Sequence, residues 1–248
     1  SAVRGGAVYI SNEDTTITGG LFKDNIAIGS NHSSGEGGAL LIYAKNGVIR
    51  GDGQGNGPHF TGNIAEIGGA IYSYGWMKGA TYNNILGEWN YSDTPYKLTI
   101  ENVIIEDNEA DYGGAICVGP MAIVELKDVT ITGNLANELG SAIAWDYSRL
   151  SRLIVSGNTQ IGVDESDNGV ALYTYVEEIY NEDYSEVIGL EHYDLSEMHV
   201  EINGKLGEDA WINIESAERR YLDPDADEED DLEGRLVAKR LYDSGLTD

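Results

Sequence analysis

The chain has 248 residues, with 43 acidic against 15 basic side chains, a formal net charge of −28 and a single cysteine. Such acidity favours solubility and provides no basic stripe to displace counterions from nucleic-acid phosphates or to hold an anionic bilayer. The lone Cys117 excludes an intrachain disulfide, and no stretch is long and apolar enough to form a membrane-spanning helix.

Taken in chain order, the sequence repeats itself. Gly-Gly-Ala-aliphatic occurs at Gly5-Gly6-Ala7-Val8, Gly37-Gly38-Ala39-Leu40, Gly68-Gly69-Ala70-Ile71 and Gly113-Gly114-Ala115-Ile116. Weaker echoes follow at Gly140-Ser141-Ala142-Ile143 and Gly169-Val170-Ala171-Leu172. A second signature, an apolar residue three positions before an asparagine, appears at Phe22/Asn25, Phe60/Asn63, Ile105/Asn108, Ile131/Asn134 and Val155/Asn158. Where the unit is uninterrupted its period is roughly in the mid-twenties, which suits one coil of a stacked β-solenoid.

Each column has a physical reading. Val8, Leu40, Ile71, Ile116, Ile143 and Leu172 form an aliphatic column that should point inward. By period-two alternation the next column, Tyr9, Leu41, Tyr72, Cys117, Ala144 and Tyr173, should face solvent. The paired glycines mark a corner where coils approach closely, and the stacked asparagines mark another, where side-chain amides can form a ladder. The alanine column shares the tyrosines' parity yet never holds a large residue, which simple alternation does not explain.

These residues resemble the GGA[ILV] and FxxN motifs of polymorphic membrane protein repeats, over roughly residues 5–175. The resemblance implies a right-handed parallel β-helix from a bacterial surface protein with an adhesin-like role. The expected fold is all-β, a right-handed parallel β-helix of about six coils, with a C-terminal β cap and loop insertions. The helix should cover residues 1–206, with insertions at 29–36, 46–59, 73–97 and 175–197. Residues 207–248 should form the cap, within which strand-like segments at 210–214 and 235–241 follow one at 198–202. The chain opens in mid-repeat and without a signal peptide. The expectation is therefore a piece of a larger secreted protein, extracellular and attached to the cell surface through regions outside this chain.

Function is expected where insertions interrupt the scaffold. Residues 73–97 carry Tyr74, Trp76, Tyr82, Trp89, Tyr91 and Tyr96, while 175–197 carry Tyr175, Tyr180, Tyr184, Tyr193 and His192. Both insertions leave after the same strand, three coils apart, so their roots should lie roughly 14 Å apart along the axis. With Tyr72 and Tyr173 they would make an acidic aromatic platform for a glycan or a host surface protein, or fold back as satellite clusters.

Other motifs have plainer readings. Arg50-Gly51-Asp52 matches an integrin-ligand tripeptide but sits in a glycine-rich turn. The acidic run 223–233 reads as a solvated loop or, less simply, a calcium site; it lacks EF-hand spacing, and no other cofactor is implied. An enzyme of this fold, a polysaccharide lyase or glycoside hydrolase, would need converging carboxylates such as Asp24 and Asp107, or Asp146 with Arg149 and Arg152. His32, His59, His192 and His199 show no metal spacing. The balance favours a non-enzymatic binding protein, with the enzyme and a plain structural spacer as alternatives.

Overall fold

The computed structural model describes residues 2–11, 14–30, 34–75, 81–83, 88–90, 96–119, 121–145, 152–162, 170–172, 176–180, 187–192, 199–202 and 211–212. Three parallel six-stranded sheets run along the molecule, each coil giving one strand to each sheet. The first sheet stacks Val8–Ile10, Leu40–Ile42, Ile71–Ser73, Ile116–Val118, Ile143–Trp145 and Val170–Leu172. The second stacks Asp14–Ile17, Asn46–Arg50, Tyr96–Glu101, Ala122–Lys127, Arg152–Ser156 and His199–Ile202. The third stacks Leu21–Lys23, His59–Thr61, Ile104–Glu106, Thr130–Thr132, Gln160–Ile161 and Trp211–Ile212. This is a parallel β-helix of six coils.

One continuous core fills it. Leu40, Ile71, Ile116 and Ile143 from the first sheet meet Ile49, Ile100, Leu126 and Val155 from the second and Phe60, Ile105, Ile131 and Ile161 from the third. All of these are fully buried, and burying each such side chain contributes about 1.5–3 kcal/mol. Phe22 stacks on Phe60 with ring centroids 4.5 Å apart.

Two corners explain the repeat. Asn25, Asn63, Asn108 and Asn134 form a ladder in which the side-chain oxygens of Asn63, Asn108 and Asn134 each accept both the backbone N–H and the Nδ2 of the asparagine one coil earlier, at 2.7–3.1 Å. Next come the paired glycines. The first adopts positive φ, as at Gly37 (65°) and Gly68 (66°). A Cβ on the second would collide with the coil above, since at Gly69 it would stand 2.1 Å from the Gly114 carbonyl oxygen. Glycine is obligatory there for lack of space.

The alanine column then follows. The N–H groups of Ala39 and Leu40 both donate to the Ala70 carbonyl, and those of Ala70 and Ile71 both donate to Ala115. Two successive donors on one acceptor break the pleat, so alanine and aliphatic residue both point inward, and Ala39, Ala70 and Ala115 are fully buried in the core. Only a small residue fits beside the aliphatic one.

Several expectations are corrected. Val155 pairs with Leu126 in the second sheet, whereas Ile131 pairs with Ile161 in the third. Val155/Asn158 is therefore not a rung of the ladder, and Asn158 is exposed, its N–H donating to Asp128. Val170 rather than Leu172 continues the aliphatic column, because Ile143 pairs with Val170 and Trp145 with Leu172. The register puts Ala171, not Tyr173, beside Ala144. Residues 46–50 are a strand of the second sheet, so the loop there is confined to 51–58. The strands His199–Ile202 and Trp211–Ile212 belong to the sixth coil. Residues 223–233 and 235–241 lie outside the described residues.

Candidate functional site

The outer face of the first sheet carries the column expected to face water. Tyr9 does, at 49% exposure, but Leu41, Tyr72, Cys117 and Ala144 are 4% exposed or less. They form a second apolar cluster covered by Tyr43, Ile67, Tyr74 and Tyr112. Alternation correctly assigns this column to the outer face. The face is covered because residues at both flanking corners, bulky in adjacent coils, lean over it.

The register explains the cover. On one side, Arg4, Glu36, Ile67 and Tyr112 stand in one column of parallel bridges. On the other, the pairing of Ile42 with Ser73 puts Tyr43 beside Tyr74 in successive coils. The rings run in sequence across three coils: Tyr9 to Tyr43 at 5.7 Å, Tyr43 to Tyr74 at 5.1 Å and Tyr74 to Tyr72 at 5.7 Å, all edge-to-face. Gly119 ends the strip, since a Cβ there would lie 2.7 Å from the Tyr72 ring.

A charged pair closes the early end. Arg4 Nε donates to Glu36 Oε2 at 3.0 Å. Burial pushes the Glu36 carboxyl above its ordinary value more than Arg4 pulls it down, and burial also raises the Tyr43 phenol, with Glu36 adding to the shift. Tyr43 was not singled out in the sequence because it lies past the repeat motif, at the turn after the strand. Its signal was the same-column tyrosine in the next coil, Tyr74.

The insertions take partial form. Residues 73–97 leave after Ile71–Ser73 and rejoin at Tyr96–Glu101, and residues 175–197 lie between Val170–Leu172 and His199–Ile202. Both therefore leave the coil between the first and second sheets. Each contains a two-stranded antiparallel ribbon, Thr81–Asn83 with Glu88–Asn90 and Val176–Tyr180 with Val187–His192. In the first ribbon Tyr82 and Trp89 are directly opposite. Tyr96 begins a second-sheet strand and is partly buried. Trp76, Tyr91, Tyr173 and Tyr175 lie outside the described residues.

The other candidates have structural roles. Asp24 and Asp107 both adopt positive φ, 53° and 55°. The carboxylate of each lies over the glycine of the next coil, Gly62 or Gly133. They are turn residues of the stack. Asp52 accepts from the N–H groups of Gln54 and Asn56 and from Asn56 Nδ2, and these bonds hold its carboxyl below the usual range. The Arg50-Gly51-Asp52 carboxylate is thus engaged in its own turn. His59 Nε2 lies 2.8 Å from Glu106 Oε1 on the neighbouring coil. Arg152 opens a second-sheet strand; Asp146 and Arg149 lie outside the described residues. Among the described residues no three His, Cys, Asp or Glu side chains converge to hold a metal ion.

Residues 59–74, which run from the Phe60 strand through Asn63 and Gly68-Gly69-Ala70 to Tyr72 and Tyr74, match the model of the Chlamydia polymorphic membrane protein repeat. The segment is similar to a polymorphic membrane protein repeat. Its two signatures fall at the asparagine rung and the glycine pair described above, so the repeat codes for the coil stack, and the similarity suggests a bacterial surface protein. Comparison with curated proteins and with solved structures found no match. The tyrosine strip begins inside the matched segment, at Tyr72 and Tyr74, and continues outside it at Tyr43 and Tyr9.

Proposed function

We propose that this β-helix is a non-enzymatic, adhesin-like surface module that binds a glycan, and that attachment to the cell is supplied by other parts of a larger surface protein. The observation that carries the reading is the strip Tyr9–Tyr43–Tyr74, seated on buried Tyr72, with the Arg4–Glu36 pair at its open end. Sugar rings stack on tyrosine faces while carboxylates and guanidinium groups bond their hydroxyls. Tyr9 and Arg4 are the exposed members that a ligand reaches first. The insertion holding Tyr82 and Trp89 on facing strands follows Tyr74 in the chain. The net charge of −28 argues against an anionic polymer as ligand. No calcium ion is required by this reading.

A glycan-array screen tests it, with wild type beside Tyr9→Ala/Tyr43→Ala and Trp76→Ala/Trp89→Ala, each checked for folding by circular dichroism. Binding lost in either folded variant supports the reading and says which aromatic group holds the sugar. Binding by none directs attention to a protein receptor or a plain spacer.

A further inference from the structure

Two Asn-Gly pairs lie within the described residues, and the fold treats them oppositely. Asn46-Gly47 opens the strand Asn46–Arg50, which is paired on both sides, so the sheet ladder takes up its N–H groups, and Gly47 is buried. Asn56-Gly57 lies in the loop 51–58, where Asn56 is exposed and Gly57 is half-buried. Among the described residues the Gly57 N–H meets no acceptor.

The scaffold itself imposes the glycine. A Cβ on Gly57 would stand 2.4 Å from the Asn102 carbonyl oxygen, and so would one on Gly51, whose Cβ would also lie 2.8 Å from Gly57 Cα. The two ends of the loop close on each other only as glycines. No side chain at 57 shields its nitrogen from the Asn56 amide.

Asp52 grips that amide. Asn56 Nδ2 donates to Asp52 Oδ2 at 2.9 Å, while Asn56 N and Gln54 N donate to Asp52 Oδ1 at 3.2 and 2.8 Å.

We propose that Asn56 is a self-modification site, deamidated by attack of the Gly57 nitrogen, with Asp52 as its brake. The Gly57 nitrogen gives its proton to solvent and bonds to Asn56 Cγ; the Cγ–Nδ2 bond breaks and ammonia leaves. One water then opens the five-membered imide at either carbonyl, giving aspartate or isoaspartate at position 56. Both reacting groups are adjacent in one loop, so the attack is intramolecular. Asp52 opposes it twice. Its hydrogen bond keeps electron density on the Asn56 amide, and its charge disfavours the anion forming at the Gly57 nitrogen. The product inverts the turn, setting a second carboxylate against that of Asp52 where an amide donor stood. The carboxylate of Arg50-Gly51-Asp52 then loses its side-chain partner.

The test holds the full chain in warm neutral buffer and follows it by peptide mapping. Deamidation changes the mass, whereas isomerisation at Asp52-Gly53 does not. Wild type is compared with Asp52→Ala and Asp52→Ser, each checked for folding by circular dichroism. The expected result is modification at 56 with 46 intact, and a rate about tenfold higher in both variants, equivalent to the loss of one hydrogen bond. In urea, positions 46 and 56 should react at similar rates. Asn168-Gly169 and Asn203-Gly204, outside the described residues, are read as separate peptides. An intact position 56 or equal reaction at 46 and 56 in buffer would overturn the site. The same contrast in urea would assign it to local sequence and overturn the role of the fold, and a rate unchanged or lowered in both Asp52 variants would overturn the brake.

Discussion

The corner entering the first sheet and the corner leaving it are made by the same coils but follow opposite rules. The entering corner, at 62–70, 107–115 and 133–142, is fixed coil by coil by the asparagine rung and the paired glycines or Gly140-Ser141. Even the extra residues 29–36 enter between rung and glycine pair and leave both in place. The leaving corner is turned by 11–13, 43–45 and 119–121 in three coils, but by 74–95 and 173–198 in two others. At the entering corner the rung and the glycine pair keep their places in the stack whatever lies between them. The leaving corner, which has no asparagine rung and no glycine pair, carries the insertions and borders the tyrosine strip.

The comparison breaks most sharply at the glycine pair. Gly69→Ala places a methyl against the Gly114 carbonyl, a backbone atom that cannot rotate away, and should cost about 3 kcal/mol in urea unfolding. Next is the rung. Asn108→Ala removes the acceptor of the buried Asn63 N–H and of one of the two Nδ2 hydrogens of Asn63, whose other bond, to the Phe22 carbonyl, remains. The expected loss is about 1–3 kcal/mol, the cost of one buried donor left without an acceptor. Asn158→Ala, at the exposed look-alike position, should stay within about 0.5 kcal/mol. Similar losses for the two would remove the ladder as the cause.

The leaving corner should tolerate far more. Replacing residues 74–95 with the Tyr-Ala-Lys of 43–45 keeps a tyrosine in the strip while removing the whole insertion. Stability should change by about 1 kcal/mol or less, because shortening a surface loop costs little when the roots already fit the turn. Glycan binding retained by this variant would assign the site to the strip. Binding lost would assign it to the insertion.

These differences track what the sequence made legible. Rungs and glycine contacts require one residue type at one position in successive coils, so Asn25, Asn63, Asn108, Asn134 and the glycine pairs could be read directly. Val155/Asn158 misled because an apolar strand end followed by a turn asparagine imitates the motif; only the pairing of Val155 with Leu126 separates them. Gly169-Val170-Ala171-Leu172 slipped by two residues for a similar reason, a small-residue run without the obligatory glycine pair. Tyr72 was placed on the correct face and given the wrong exposure. Alternation reports the direction of a side chain and not what lies above it, and the cover came from Tyr74 and the neighbouring corners. The ribbon at Tyr82 and Trp89 rests on pairing within an insertion, where no repeat exists to compare.

Glu36 gives the smallest and most specific test, because it sits where the fixed corner meets the strip. Its carboxyl is raised above an ordinary value of 4.5, burial outweighing the opposite pull of Arg4. A raised folded value favours the protonated form. The group's contribution to stability is therefore fully present below its unfolded value and is lost as pH rises through the folded one. Glu36→Gln removes that dependence and leaves a hydrogen-bonding partner for Arg4. On going from pH 4 to pH 7 the stability difference should move in favour of the glutamine variant. Movement toward the wild type would mean that attraction to Arg4 outweighs burial, which would make the Arg4–Glu36 pair a clamp on the entering corner and not a strained, ligand-facing end of the tyrosine strip.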